Sequence, residues 1–178
     1  MKVISFNING LRARLHQLQA IIDKHQPDVI GLQEIKVHDE AFPLADVEAM
    51  GYKVYFHGQK AHYGVAMLCK QEPISVQKGF PTDNEDHQKR MIMATFEDEN
   101  GEKITVLNGY FPQGDNIKHE TKYPYKRQFY KDLMTLSNTQ ILTNLDVSTY
   151  IFFSVRKNME KLKKEKNVLS FQLTHLTK

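Results

Sequence analysis

A short β-rich run, Lys2 to Phe6, gives way at once to the polar turn Asn7-Ile8-Asn9-Gly10. From Leu11 the spacing changes: Leu11, Leu15, Leu18, Ile21 and Ile22 recur at helical intervals. The pattern predicts a helix over 11–25, stopped by Pro27. Val29-Ile30-Gly31-Leu32-Gln33 is apolar at nearly every position, as in a strand buried on both faces, and it delivers Glu34 at its polar end. Strand, helix, strand in this order favours a crossover and a parallel pair over a hairpin.

Further on, strand-like runs follow one another: Tyr52 to Phe56, Gly64 to Leu68, Ile74 to Val76, Met91 to Phe96 and Ile104 to Asn108. Turn formers such as Phe80-Pro81-Thr82-Asp83 and Asn100-Gly101 separate them. After Pro124 a second helix is predicted over about 125–136. The class is α/β with a mixed sheet. Beyond residue 137 the pattern weakens. Ser137-Asn138-Thr139-Gln140 has little structural signal, 141–155 is apolar without period, and 156–167 is a lysine-rich run of low complexity.

Composition adds little to this picture and charge adds one correction. With 40% hydrophobic and 25% charged residues, the 178-residue chain reads as an ordinary soluble domain. No apolar run reaches membrane-spanning length, no signal-peptide core opens the chain, and the single Cys69 suits a reducing, cytoplasmic setting as a small buried apolar residue. Residues 1–155 carry 17 Lys/Arg against 19 Asp/Glu, whereas 156–178 carry seven against two. The basic excess belongs to the tail, so the overall pI is no argument that the main domain binds nucleic acid.

Two strand ends invite a functional question. In a parallel pair, Asn7 and Glu34 emerge at the same edge, the carboxyl ends, where open α/β sheets bind ligands. A carboxylate beside a carboxamide suits a hard cation such as Mg²⁺. The plainer alternative is a surface carboxylate and a turn-forming asparagine.

Longer blocks narrow the choice. Ser5-Phe6-Asn7-Ile8-Asn9-Gly10-Leu11-Arg12-Ala13 and Gln26-Pro27-Asp28-Val29-Ile30-Gly31-Leu32-Gln33-Glu34-Ile35-Lys36 resemble the exonuclease III family of DNA-repair nucleases. So do Tyr55 to Ala66, Arg90-Met91-Ile92-Met93-Ala94 and Asn108-Gly109-Tyr110-Phe111-Pro112-Gln113-Gly114, in the same order. The resemblance covers residues 1 to about 136. It implies a four-layer α/β/β/α sandwich with mixed sheets, of the DNase I-like type, of which this chain would hold part. It implies Mg²⁺-dependent hydrolysis of DNA phosphodiesters, with Mn²⁺ as the alternative ion, acting on double-stranded DNA at abasic sites and 3′ ends. Glu34 and Asn7 would form the metal side, and Tyr110 would contact the scissile phosphate. Arg90 and Gln113 would contact the DNA backbone. Without the resemblance, Tyr110 reads as a packing residue, Arg90 as a solvated strand-edge charge and Lys36 as a surface charge.

Three further family elements are expected after Tyr110: a strand ending in Gly-Asp-X-Asn, a later aspartate, and a Ser-Asp-His segment. None is present. Gly114-Asp115-Asn116-Ile117 has the wrong spacing, Asn144-Leu145-Asp146 lacks the glycine, Asp86-His87 precedes Arg90, and His175 has no neighbouring aspartate. The sequence is therefore read as a family segment over 1–136 followed by a non-family, lysine-rich tail over 137–178. The expectation is a nuclease by descent with little or no activity, and an uncovered apolar sheet face that promotes self-association where relatives are usually monomeric. A non-catalytic DNA-binding module and a degraded gene product are the alternatives.

Overall fold

Strand β1 (Lys2–Asn7) and strand β2 (Val29–Gln33) run parallel, Val3 opposite Val29 and Asn7 opposite Gln33, with helix α1 (Leu15–His25) as the crossover. The computed structural model describes residues 1–143, 147–154 and 168–172. The predicted first helix is divided. Leu11–Ala13 form a 3₁₀ turn, Arg14 breaks the helical path, and α1 begins at Leu15. No side chain caps that start, which is why the apolar spacing alone did not locate it. The helix ends at Gln26, whose left-handed backbone (φ 45°) returns its N–H to the Ile22 carbonyl, just before Pro27.

Two mixed sheets follow. The first has the order β3 (Lys53–His57), β4 (Val65–Cys69), β2, β1, β9 (Val168–Gln172); the second has β5 (Ser75–Lys78), β6 (Met91–Glu97), β7 (Lys103–Gly109), β8 (Val147–Ser154). Strand β8 lies parallel to β7, and β9 antiparallel to β1. A five-residue helix α2 (Leu44–Glu48), too short to announce itself by periodicity, precedes β3. Helix α3 spans Lys122–Thr143, longer at both ends than predicted. Pro124 sits in its first turn, where a missing N–H costs nothing. The lysine-rich run 156–167, the Asn144-Leu145-Asp146 stretch and His175 lie outside the described residues. None of the described helices is long and apolar enough to cross a membrane.

The period of two sorts each strand's side chains into two layers. Ile4, Phe6, Ile30, Leu32, Ala66 and Leu68 pack against Leu18, Ile21 and Ile22 of α1 and Val47 of α2. The alternate positions Val3, Val29, Val65, Met67 and Cys69 meet Ile92, Ala94, Phe96 and Val106 of the second sheet. On that sheet's far side, Met91, Met93 and Leu107 pack with Phe129 and Leu136 of α3. Three apolar interfaces thus separate four layers: helices, sheet, sheet, helix. Cys69 is fully buried, and burial pushes its thiol up to about 12, so it behaves as a small apolar filler.

The sheets approach closely at Gly31. A Cβ there would lie 2.9 Å from Cγ of Asn108 on β7. Gly31→Ala is accordingly expected to destabilise the fold by about 1–3 kcal/mol in urea unfolding, through overpacking; a loss below about 0.5 kcal/mol contradicts this contact.

Candidate active site at the strand carboxyl ends

Parallel pairing brings Asn7 and Glu34 to one edge, as the sequence suggested. The Asn7 amide donates to Glu34 Oε1 at 2.8 Å, while its own Oδ1 accepts the Asn9 N–H at 3.1 Å. Glu34 is only 4% exposed and adopts φ 54°. That left-handed backbone costs a non-glycine residue on the order of 1–2 kcal/mol. Neighbouring backbone holds it in place: Ile8 N–H donates to Gln33 O, Gly10 to Glu34 O, Leu11 to Ile35 O, and Ile35 to Gly64 O, all between 2.7 and 3.1 Å. Strain concentrated at one carboxylate and satisfied by two other loops is the mark of an over-determined position.

Burial alone would raise the pKa of Glu34. Hydrogen bonds from Asn7, Lys36 and Tyr110, with the charge of Lys36, outweigh it and hold the carboxyl below its ordinary range. Lys36, which the sequence left as a surface charge, places its ammonium 3.2 Å from Glu34 Oε2 and 2.5 Å from Asn9 Oδ1. The Tyr110 phenol is pushed up to about 12 by burial first and then by the charge and hydrogen bond of Glu34. At neutral pH, Glu34 is therefore an anion and Tyr110 a proton-bearing donor.

Tyr110 itself is fixed from the second sheet. Its N–H donates to the Arg90 carbonyl at 2.7 Å, and Arg90 Nη1 donates to the Tyr110 carbonyl at 2.9 Å. The Arg90 guanidinium lies 4.0, 4.8 and 5.7 Å from the ring centres of Tyr63, Tyr110 and Tyr125, a threefold cation–π enclosure. Gln88 Oε1 accepts from Arg90 Nε at 2.6 Å. Arg90 is thus 8% exposed, buried where the sequence alone suggested a solvated strand edge. Tyr63 and Tyr125 were not singled out in the sequence, since nothing in their local pattern separates them from packing aromatics. Phe111 packs on Phe129 and Tyr130, tying the Tyr110 loop to α3.

Beside this cluster opens a cleft of about 340 Å³, lined among others by Tyr63, Arg90, Tyr110, Gln113, Lys122 and Tyr125. Asp115 is also on its wall, but its carboxylate is engaged by Lys122 at 2.6 Å. His87 bonds Asn84 in an exposed turn. Asn7, Glu34, Tyr110, Arg90 and Gln113 therefore converge on one edge and its adjoining cleft.

An ionised carboxylate and carboxamides form a hard oxygen donor set, which fits a Mg²⁺-type ion that keeps several waters and takes one or two protein carboxylates. Among the described residues, no group of three or more His, Cys, Asp or Glu gathers into a closed metal cage.

The chain has relatives. The model of the Endonuclease/Exonuclease/phosphatase family matches residues 4–147. The chain is 68% identical over 133 residues to Exodeoxyribonuclease III of Haemophilus influenzae, covering 75% of this chain and 49% of that protein. It is 36% identical over 104 residues to the DNA repair nuclease APEX1 of Danio rerio, covering 55% and 33%. Among solved structures, the 3′-5′ exonuclease NExo of Neisseria meningitidis superposes with a TM-score of 0.76 at 29% identity, over 86% of this chain and 57% of that one. An AP endonuclease from Archaeoglobus fulgidus gives 0.66 at 38% identity, over 75% and 49%. The chain spans about half the length of the first of these relatives.

Because the Glu34 pKa is depressed on folding, its ionised form stabilises the protein above its ordinary value of 4.5, and the contribution disappears as pH falls through the lowered folded value. Thermal melts from about pH 7 down to about pH 3 are expected to show wild type above Glu34→Gln at neutral pH, with the gap closing below pH 4.5. A gap independent of pH contradicts the assignment.

Proposed function

The chain belongs to the endonuclease/exonuclease/phosphatase family, and from that premise we propose that its residues build the metal- and phosphate-binding side of a DNA-repair phosphodiesterase. The substrate class is double-stranded DNA with abasic sites or 3′ ends, the ion Mg²⁺ with Mn²⁺ as substitute, and the setting cytoplasmic. The observation that carries this reading is the buried, ionised Glu34 held by Asn7 and Lys36 at the carboxyl edge of a parallel pair.

Each residue has a chemical task. Glu34 supplies the fixed carboxylate, and Asn7 orients it through the 2.8 Å amide bond. A bound divalent ion would supply Lewis-acid polarisation of a phosphoryl oxygen. Tyr110 keeps its proton at neutral pH and so donates to an oxygen on which negative charge develops. Arg90, lining the cleft, biases it toward anions, and Gln113 on its wall contacts the DNA backbone. Water activation belongs, by resemblance, to an aspartate in a Gly-Asp-X-Asn segment that these 178 residues do not contain. Binding of metal and DNA with little or no turnover is the behaviour proposed for them, since groups that act as a unit fail together.

Calorimetric titration of Mn²⁺ is expected to show one Glu34-dependent site, weakened about tenfold or more in Glu34→Gln and changed less than about twofold in Tyr110→Phe. Metal binding that is unaffected by Glu34→Gln contradicts the reading. On the same samples, nicking of abasic duplex DNA is expected to be orders of magnitude below that of a relative that contains the Gly-Asp-X-Asn segment. Robust, Glu34-dependent nicking would refute the low turnover, while DNA binding that is indifferent to metal and to Glu34 would favour a non-catalytic binding module.

A further inference from the structure

Most of the interface between the two sheets is hydrocarbon, built from valines, methionines, Ile92, Ala94 and Phe96. At the end nearest the site it changes character. Ser5, Gln33 and Asn108 are all fully buried there. The two N–H groups of Gln33 Nε2 are shared among three acceptors, Asn108 Oδ1 at 2.6 Å, Ser5 Oγ at 3.0 Å and the Gly31 carbonyl at 3.1 Å. Asn108, on β7 of the second sheet, reaches across and donates through Nδ2 to the carbonyls of Leu32 and Ala66 on the first, both at 2.9 Å. Leu32 and Ala66 are themselves register partners on β2 and β4, so one carboxamide grips two strands. Gly31 makes the approach possible, because any side chain there would meet Asn108.

The chain positions of these three residues are informative. Ser5 lies two residues before Asn7, Gln33 one before Glu34, and Asn108 two before Tyr110. Each of these three strand ends has a buried polar group beneath its site residue, and Gln33 bonds both of the other two. We propose that Ser5, Gln33 and Asn108 form a polar clasp that positions Asn7 and Glu34 on one sheet against Tyr110 on the other. The inference rests on the site assignment above and gives it a supporting shell.

The physical case is one of directionality. Apolar contact is non-directional, so it specifies the alignment of two faces less sharply than hydrogen bonds do. Hydrogen bonds weaken steeply once length and angle depart from their optimum, and they fix register. A site divided between two sheets needs its groups held to about 0.5 Å. Stability alone would not select these residues. Gln33 Oε1 is a buried side-chain atom with no hydrogen-bond partner among the described residues, a loss an apolar side chain would avoid. The clasp sacrifices some stability for alignment. Its members are positioning residues, because they touch Glu34 and Tyr110 only through the chain.

The test is the thermodynamic coupling between Glu34 and Tyr110. Urea unfolding of wild type, Glu34→Gln, Tyr110→Phe and the double variant gives it as a ratio of folding constants. That cycle is then repeated in an Asn108→Leu background. A coupling of about fivefold is expected in the wild-type background, falling to within about twofold of none with Asn108→Leu. A coupling that is the same in both backgrounds, or absent from wild type, overturns the clasp, since Asn108 would then support stability only. Should Asn108→Leu lose cooperative unfolding, Ser5→Ala replaces it, removing one of Gln33's acceptors. The coupling is then expected to drop about twofold, and an unchanged value overturns the proposal. Neither metal nor DNA enters this measurement, so a failure of the metal-site assignment, read from Mn²⁺ titration of Glu34→Gln, is distinguishable from a failure of the clasp.

Discussion

A carboxylate that is almost wholly buried and yet ionised is the constraint around which this molecule is arranged. Taking Glu34 out of water disfavours its charge, and the fold answers with donors from three directions: the Asn7 amide, the Lys36 ammonium and the Tyr110 phenol. None of these comes from the strand that delivers Glu34. Asn7 arrives from β1 through parallel pairing, and Tyr110 from the second sheet. Lys36 arrives by a second left-handed residue (φ 54°) two positions along the same turn. A charge whose partners lie on separate elements ties local electrostatics to global topology. Disturb the pairing of β1 with β2, or the seating of one sheet on the other, and the anion loses what keeps it charged.

The second sheet contributes a buried cation. Arg90 is enclosed by Tyr63, Tyr110 and Tyr125, and it is joined to the Tyr110 backbone by hydrogen bonds in both directions. Its rigidity holds the Tyr110 loop. The edge of the sandwich therefore carries a buried anion on one sheet and a caged cation on the other, with the cleft beside them. On the proposed reading, the Glu34 side would hold a metal ion and the Tyr110 side a hydrogen-bond donor to the phosphate. Lys36 completes the picture with an ammonium 3.2 Å from Glu34 Oε2, where on the proposed reading a bound cation would compete with it.

Much of this could be read from residues alone, and the limits are physical. Strands β1 to β7 and their crossover were legible because a two-residue period or a fully apolar run survives in each. Helix starts were less so. Helix α1 has no capping side chain, and α3 carries Pro124 inside its first turn, where proline is tolerated rather than disruptive. Glu34 and Asn7 could be placed together by parallel pairing, whereas Tyr110 became visible only through resemblance. The clasp and the tyrosine enclosure were missed because each is assembled from residues distant in sequence. The signal for the clasp was present: Ser5, Gln33 and Asn108 are polar residues within otherwise apolar strands. For Lys36, Tyr63 and Tyr125, no local pattern distinguishes a site residue from an ordinary surface or packing one.

The most direct measurement of whether Glu34 anchors a cation is anomalous diffraction from crystals of the 178-residue chain soaked in Mn²⁺. The account predicts a peak at bonding distance from the Glu34 carboxylate, with the Lys36 ammonium displaced from it. A saturated crystal with no peak at Glu34, and Lys36 still seated on the carboxylate, would contradict it.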